Sequence, residues 1–369
     1  MRFNIPRVAG AVVVALTVLA TAYATAENRP PAATAQAGAR KPRIRILATG
    51  GTIAGAQTEK TSYGYQSGQF KVEDLIAAVP QMKELATLSG EQVANIGSQD
   101  MNDAVWLKLA HRVNQVLQSD DVDGVVITHG TDTMEETAYF LDLVVKSDKP
   151  VVLVGSMRPA TAVSADGPGN LYNGVAVAAS PRARGRGVLV VMNDTIHAAR
   201  DVEKMNTTNV DTFASPMRGP QGLVHTGKID WFEPTNKPHT TKSEFTVANV
   251  EKLPRVDIIY AHASMPTDLI ESSVKNGARG VIVAGVGDGN MTNAAVQTLE
   301  KAAKQNNVVV VRSTRLPTGV VLRNNEIDDD KKGFVASGEL NPAKARVLVE
   351  LALTKTSDPR KVQTMFNTY

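Results

Sequence analysis

The chain has 369 residues, with 40 Lys plus Arg, 37 Asp plus Glu, a formal net charge of +3 and 43% hydrophobic residues. This composition excludes a disordered chain, and it lacks the basic excess needed to engage phosphate backbones, so nucleic acid is not an expected partner. There is no cysteine, which removes disulfides, thiolate nucleophiles and Cys-ligated zinc or iron–sulfur centres.

In chain order, Arg2 and Arg7 precede an apolar run over 8–20 and the small-residue ending Ala24-Thr25-Ala26. The pattern predicts a secretory signal over 1–26, cut after Ala26, and a product that is periplasmic or secreted and free of the membrane once cleaved. Residues 27–42, rich in Ala and Pro, read as a disordered tether. The length predicts two domains. Over 43–232, short Val-, Ile- and Leu-rich runs at 45–48, 124–128, 150–155 and 187–192 suit strands covered on both faces. Between them, 102–117 puts Val105, Leu109, Val113 and Val116 or Leu117 on one helical face behind Asn102 as N-cap, and 135–145 is a second such stretch. Alternating strands and helices predict an α/β domain around a mostly parallel sheet. Residues 233–253, interrupted by Pro234 and Pro238, read as a linker. The rhythm resumes in a smaller α/β domain over 254–369, with strands at 256–260, 280–286 and 308–312 and helices at 292–306 and 341–354, the last opened by Pro342.

Several familiar signatures fail. Gly285-Val286-Gly287-Asp288-Gly289-Asn290 has Asn where a dinucleotide loop needs its third glycine, and reads as a tight turn. In Gly222-Leu223-Val224-His225-Thr226-Gly227-Lys228-Ile229, Ile229 stands where a phosphate loop needs a magnesium-binding hydroxyl, and Thr226-Gly227-Lys228 reads as a hairpin tip. The histidines, at 111, 129, 197, 225, 239 and 262, show no metal-ligand spacing.

What remains is a set of hydroxyls, carboxylates and one lysine at strand ends, where ligands of open α/β sheets bind. Thr52 follows Gly50-Gly51 after the first strand; alone, this could equally be a Gly-Gly turn with an incidental threonine. Thr128-His129-Gly130-Thr131-Asp132-Thr133 ends a later strand, where Asp132 or Thr133 could cap the following helix, with Glu135 and Glu136 as favourable charges at its positive end. Ser98-Gln99-Asp100-Met101-Asn102 is a third polar strand end; with Asp100 or Asn102 as the cap, Ser98 and Gln99 are left free for a ligand.

Together these segments resemble the bacterial type II L-asparaginases, the periplasmic branch of the asparaginase/glutaminase family. The resemblance runs from Ile44 to Tyr369. It is carried by Ala48-Thr49-Gly50-Gly51-Thr52-Ile53-Ala54-Gly55, the 128–136 segment, Met157-Arg158-Pro159, Ser164-Ala165-Asp166-Gly167-Pro168, Val190-Val191-Met192-Asn193-Asp194 with Arg200-Asp201-Val202, and Phe334-Val335-Ala336-Ser337-Gly338. It implies a two-domain α/β fold with a larger flavodoxin-like N-terminal domain, a smaller C-terminal domain and mostly parallel sheets. It implies hydrolysis of L-asparagine to L-aspartate and ammonia, with weaker activity on L-glutamine. It further implies a homotetramer built as a dimer of dimers with sites at the dimer interface, no metal and no organic cofactor.

Residue by residue, Thr52 matches the nucleophile and Tyr65 the tyrosine of a mobile lid flanked by Gly55, Gly64 and Gly68. Ser98 and Gln99 match the residues that hold the substrate's carboxylate and amino group. Thr131, Asp132 and Lys204 match a Thr–Asp–Lys set, and Glu326 a glutamate reaching a neighbouring subunit's site. The chemistry agrees: a threonine hydroxyl needs a base, which Lys204 can be, directly or by a relay, and glycine-flanked amides near Thr52 and Thr131 could hold an oxyanion. Which threonine attacks first, and whether an acyl-enzyme forms, stays open at this point.

Two places depart from the commonest family pattern. Ser264, with Thr267 as the alternative, stands where many members have asparagine, which makes a glutaminase-asparaginase with comparable rates the rival enzyme. His262 beside it reads as a surface residue. Ser156 stands where alanine is frequent, and fits if its backbone carbonyl rather than its side chain meets the leaving amide. A periplasmic amino-acid binding protein is the rival outside enzymes, although it would need no Thr–Asp–Lys set.

Overall fold

The computed structural model describes residues 40–57, 65–66 and 68–369; the expected signal over 1–26 and most of the expected tether lie outside them. The strands of the first sheet are β1 (Arg43–Gly50), β2 (Thr87–Ile96), β3 (Gly124–Thr128), β4 (Val151–Val154), β5 (Val188–Met192), β6 (Thr195–Ala198), β7 (Gly222–His225) and β8 (Lys228–Trp231). They lie in the order β8-β7-β6-β5-β4-β3-β1-β2. From β2 to β5 every pairing is parallel, and the remaining three strands add antiparallel. The parallel part therefore has the order 2-1-3-4-5 of a flavodoxin-like sheet, whose switch point falls between β1 and β3. β3, β4 and β5 are buried along their whole length, the pattern expected of strands covered on both faces.

Helices α1 (Asp103–Gln118) and α2 (Met134–Val144) cover one face and α3 (Gly167–Ala179) the other. Asn102 caps α1, its Oδ1 accepting from Val105 N at 3.2 Å, and Trp106, Leu109, Ala110, Val113 and Leu117 form the buried stripe. The second sheet is parallel throughout: β9 (Val256–Tyr260), β10 (Gly280–Gly285), β11 (Val309–Thr314) and β12 (Phe334–Ala336), in that order. Its helix α4 (Pro342–Leu353) is capped by Asn341, whose Oδ1 accepts from Lys344 N at 2.9 Å.

One apolar cluster joins the two sheets, running from Leu47, Trp106 and Phe140 through Val256 and Ile282 to Leu348 and Phe366. Phe245, Val247 and Leu253 of the 233–253 segment are buried in the same cluster, so that segment is packed along its second half. Thr226 and Gly227 both have positive φ at the β7–β8 turn, which is the hairpin tip expected there, and Val286 and Asn290 bridge across the expected tight turn.

The ends of β1, β2 and β3 are drawn together by glycines. Gly51 has φ 83° and ψ −175°, a region open essentially to glycine alone. A Cβ there would lie 2.3 Å from Gly130 N; a Cβ on Gly130 would lie 2.5 Å from Ser98 Oγ. Gly51 N donates to Ile96 O at 3.0 Å, tying the β1 turn to the end of β2.

Two predictions follow from this packing. Gly51→Ala combines a disallowed backbone with a backbone clash, and urea unfolding is expected to register a loss of at least about 3 kcal/mol. Asp142 on α2 is buried, accepts from Val188 N at 2.7 Å, and burial pushes its carboxyl up to about 7. Because the native state then holds a proton that the unfolded chain releases near pH 4, this group's contribution to stability falls as pH rises through that window. Asp142→Asn keeps the acceptor but loses the titration, so its stability relative to the parent should improve by up to about 4 kcal/mol between pH 4 and 7, measured by denaturation across that range.

Candidate active site

Thr52 opens the short turn Thr52–Ala54 after β1 and is 5% exposed; Thr131, after β3, is equally buried. Lys204 lies on a two-residue ribbon, Glu203–Lys204, paired with Phe213–Ala214. Its Nζ donates to Thr131 Oγ1 at 2.9 Å and to Asp132 Oδ1 at 2.7 Å. The lysine side chain is 18% exposed and the aspartate 54%, so this ion pair is partly solvated. A cavity of about 370 Å³ opens over the pair, lined also by Met205, Asn206 and Thr207. The three expected members Thr131, Asp132 and Lys204 are thus brought together from two distant stretches of chain. The arrangement can move a proton: an ammonium bound to a hydroxyl becomes, once deprotonated, an acceptor for that hydroxyl's proton.

Ser98 is not wholly free of neighbours. It is buried, and its Oγ accepts from Asp132 N at 3.1 Å while its carbonyl accepts from Thr133 Oγ1 at 2.8 Å. Its oxygen is therefore engaged in shaping the β3 loop, and its hydroxyl proton is the group it can offer a carboxylate. These bonds also settle the capping alternatives: neither Asp132 nor Thr133 caps α2 with its side chain, because one is paired with Lys204 and the other with Ser98. The Gly51 amide is engaged by Ile96 O, so it is not among the donors available to an oxyanion. Gln99 is exposed and folds back over Gly97, where a Cβ would meet its amide at 2.4 Å.

The Tyr65 backbone pairs with Gln57 in a two-residue ribbon; its side chain, Gly64 and Ser67 lie outside what is described. Gly68 is pinned, with its carbonyl accepting from Asn95 Nδ2 at 2.8 Å. Ser156 Oγ is turned toward the Arg158 carbonyl and Asp166 Oδ1, the latter at 3.0 Å, leaving its side chain occupied within its own loop.

Ser264 and Glu326 lie with the second sheet, both exposed, and the Thr131–Asp132–Lys204 bonds do not include them. Ser264 adopts φ 58° in the loop after β9, beside an exposed His262, and Thr267 precedes the helix Asp268–Lys275. Glu326 Oε2 accepts from Asn290 Nδ2 at 2.6 Å. Its loop is anchored by a fully buried pair, Arg312 Nε to Asp329 Oδ1 at 2.6 Å, with Arg312 also donating to the carbonyls of Asp288 and Leu322.

The sequence reasoning missed two residues. Glu135 read only as a favourable charge at a helix start, yet its Oε2 accepts from Lys204 N at 2.8 Å and its Oε1 from Asn341 Nδ2 at 3.2 Å. No spacing signals a contact between positions so far apart. His129, beneath the site, is fully buried; burial pulls its pKa to about 4, which keeps it neutral at neutral pH beside Gly130 O at 2.7 Å. Among the described residues no group of three His, Cys, Asp or Glu could hold a metal ion.

The chain and its fold have close counterparts among known proteins. Residues 43–237 match the profile "Asparaginase, N-terminal" and residues 255–366 the profile "Glutaminase/Asparaginase C-terminal domain". The chain is 55% identical over 328 residues to "Probable L-asparaginase periplasmic" of Haemophilus influenzae and to "L-asparaginase 2" of Escherichia coli, covering 89% of this chain and 93% of each relative. It is 48% identical to "Glutaminase-asparaginase" of Pseudomonas fluorescens, over 88% of this chain and 90% of the relative. The crystal structure of a probable cytoplasmic L-asparaginase from Campylobacter jejuni matches with TM-score 0.86 and 47% identity, over 89% of this chain and all of that one. The chain belongs to the asparaginase family, and its two sheets are those of the family's N-terminal and C-terminal domains.

Proposed function

We propose that this chain is an exported L-asparaginase that hydrolyses the side-chain amide of L-asparagine to L-aspartate and ammonia. The observation that carries the reading is the Thr131–Lys204–Asp132 set beside buried Thr52 at the switch point of the sheet. Its relatives' names support the same substrate. In this reading Thr52 Oγ attacks the amide carbon and its proton passes to the amide nitrogen, which leaves as ammonia. The amine form of Lys204, acting through Thr131, then takes a proton from a water molecule that attacks the ester carbon, and this proton passes to the Thr52 oxygen as the ester bond breaks, which restores both the hydroxyl and the amine. Asp132 stabilises the ammonium form of Lys204 and, being half exposed, also suits a substrate's ammonium group. The Ser98 hydroxyl proton suits its carboxylate, and Gln99 and the Tyr65 lid close around it.

Glu326 and Ser264 complete the site from a second copy of the chain, within a dimer-of-dimers tetramer; their outward placement on this chain supports that role. Ser264, shorter than an asparagine, favours one further reading: added room for L-glutamine. Export to the periplasm rests on the 1–26 pattern and on a relative whose name includes that compartment.

Kinetic and assembly measurements test this. Thr52→Ala is expected to lower kcat at least about 10³-fold with an unchanged melting temperature, and Lys204→Met about 10²–10⁴-fold. Ammonia release should be fast from L-asparagine and slower from L-glutamine; equal rates would move the assignment to a glutaminase-asparaginase. Glu326→Ala should raise KM about tenfold or more, as expected for loss of a charge-assisted contact, and an active monomer in size-exclusion chromatography would contradict the shared site.

A further inference from the structure

Lys204 reaches Thr131 and Asp132 with its ammonium group, but what fixes its backbone comes from elsewhere. Its N–H donates to Glu135 Oε2 at 2.8 Å, and Glu135 is in the first turn of α2, three residues beyond Asp132. One short stretch thus holds both ends of the lysine. The other carboxylate oxygen of Glu135 accepts from Asn341 Nδ2 at 3.2 Å. Asn341 is in turn held, because its Oδ1 caps α4 through Lys344 N at 2.9 Å. Lys344 is 1% exposed, and its Nζ donates to the carbonyl of Val202, two residues before Lys204. The Glu203–Lys204 ribbon is therefore braced twice by the start of α4, once through Glu135 and once through Lys344.

We propose that Glu135 and Asn341 are positioning residues: the Asn341–Glu135–Lys204 chain of hydrogen bonds sets the reach of the Lys204 ammonium to Thr131, so that the start of α4 tunes the proton-transfer step. The inference rests on the reading of Lys204 as a proton-transfer group. Neither residue touches the cavity over Asp132 and Lys204. Their loss should act on kcat and leave substrate affinity alone.

Asn341→Ser separates the two roles of Asn341. A serine hydroxyl still caps α4 about as well as asparagine, but it has no amide N–H to give Glu135. In the full chain, with steady-state ammonia release from L-asparagine as the readout, Asn341→Ser should lower kcat about tenfold, with KM within about twofold and Tm shifted by only a few degrees. Glu135→Gln, which retains an oxygen for Lys204 N but offers the wrong partner to Asn341, should behave alike, and it stands in if the first variant folds poorly. In a Lys204→Met background, Asn341→Ser should produce no further loss of the residual rate, because there is no ammonium left to position. An unchanged kcat in both single variants, while Lys204→Met is inactive, would overturn the positioning role. The same tenfold loss repeated in the Lys204→Met background would mark the effect as general destabilisation and overturn it too. An active Lys204→Met enzyme would instead remove the reading of Lys204 on which the proposal stands.

Discussion

Gly51 and Gly130 approach until their backbones leave no room for a side chain, and Ser98 closes the same contact from a third strand. Each of these residues ends a strand of the parallel sheet, and β1 separates from β3 at its switch point here. Because a Cβ would force the turns apart, glycine is the only residue that lets Thr52 and Thr131 sit on neighbouring turns while both stay buried. The Asp132 amide bonded to Ser98 Oγ and the Thr133 hydroxyl bonded to the Ser98 carbonyl then lock the loop after β3 in register with the loop after β2. The chemistry of the site is a consequence of that spacing.

Charge is placed with equal economy. Lys204 faces a partly solvated aspartate, and so its positive charge is neither stranded nor deeply desolvated. His129, buried at the start of the loop after β3, is kept neutral by its burial and adds no second cation. Further out, Arg312 and Asp329 meet without exposure and hold the loop that carries Glu326, a costly arrangement made tolerable by the carbonyls and the backbone amide of Asn324 that complete their hydrogen bonds.

Much of this is legible along the chain. Apolar runs such as that over 124–128 suit strands covered on both faces, Asn102 announces a helix start by its side-chain chemistry and Pro342 another by its ring. The polar strand ends at 52, 98 and 131 point to one edge of one sheet. What the chain conceals are pairings made by tertiary approach. Ser98 read as a free ligand group because nothing in its neighbours shows that the Asp132 amide will meet it. Glu135 read as a helix-end charge because its two partners arrive from opposite ends of the chain. No apolar run marks the strand 87–96, because Ser89, Gly90, Glu91 and Gln92 interrupt it; it is an edge strand, covered less completely than β3.

The bond from Asn341 to Glu135 spans 206 residues, and that from Arg200 to the backbone oxygen of Tyr369 spans 169. Closures of that length come late, since the entropy of bringing such ends together is met only after local elements have formed. A chain still being synthesised can build β1 to β5 and bring Thr52 and Thr131 onto neighbouring turns, but it lacks the asparagine that bonds Glu135. The carboxylate behind Lys204 therefore lacks its second partner until nearly the whole chain is present.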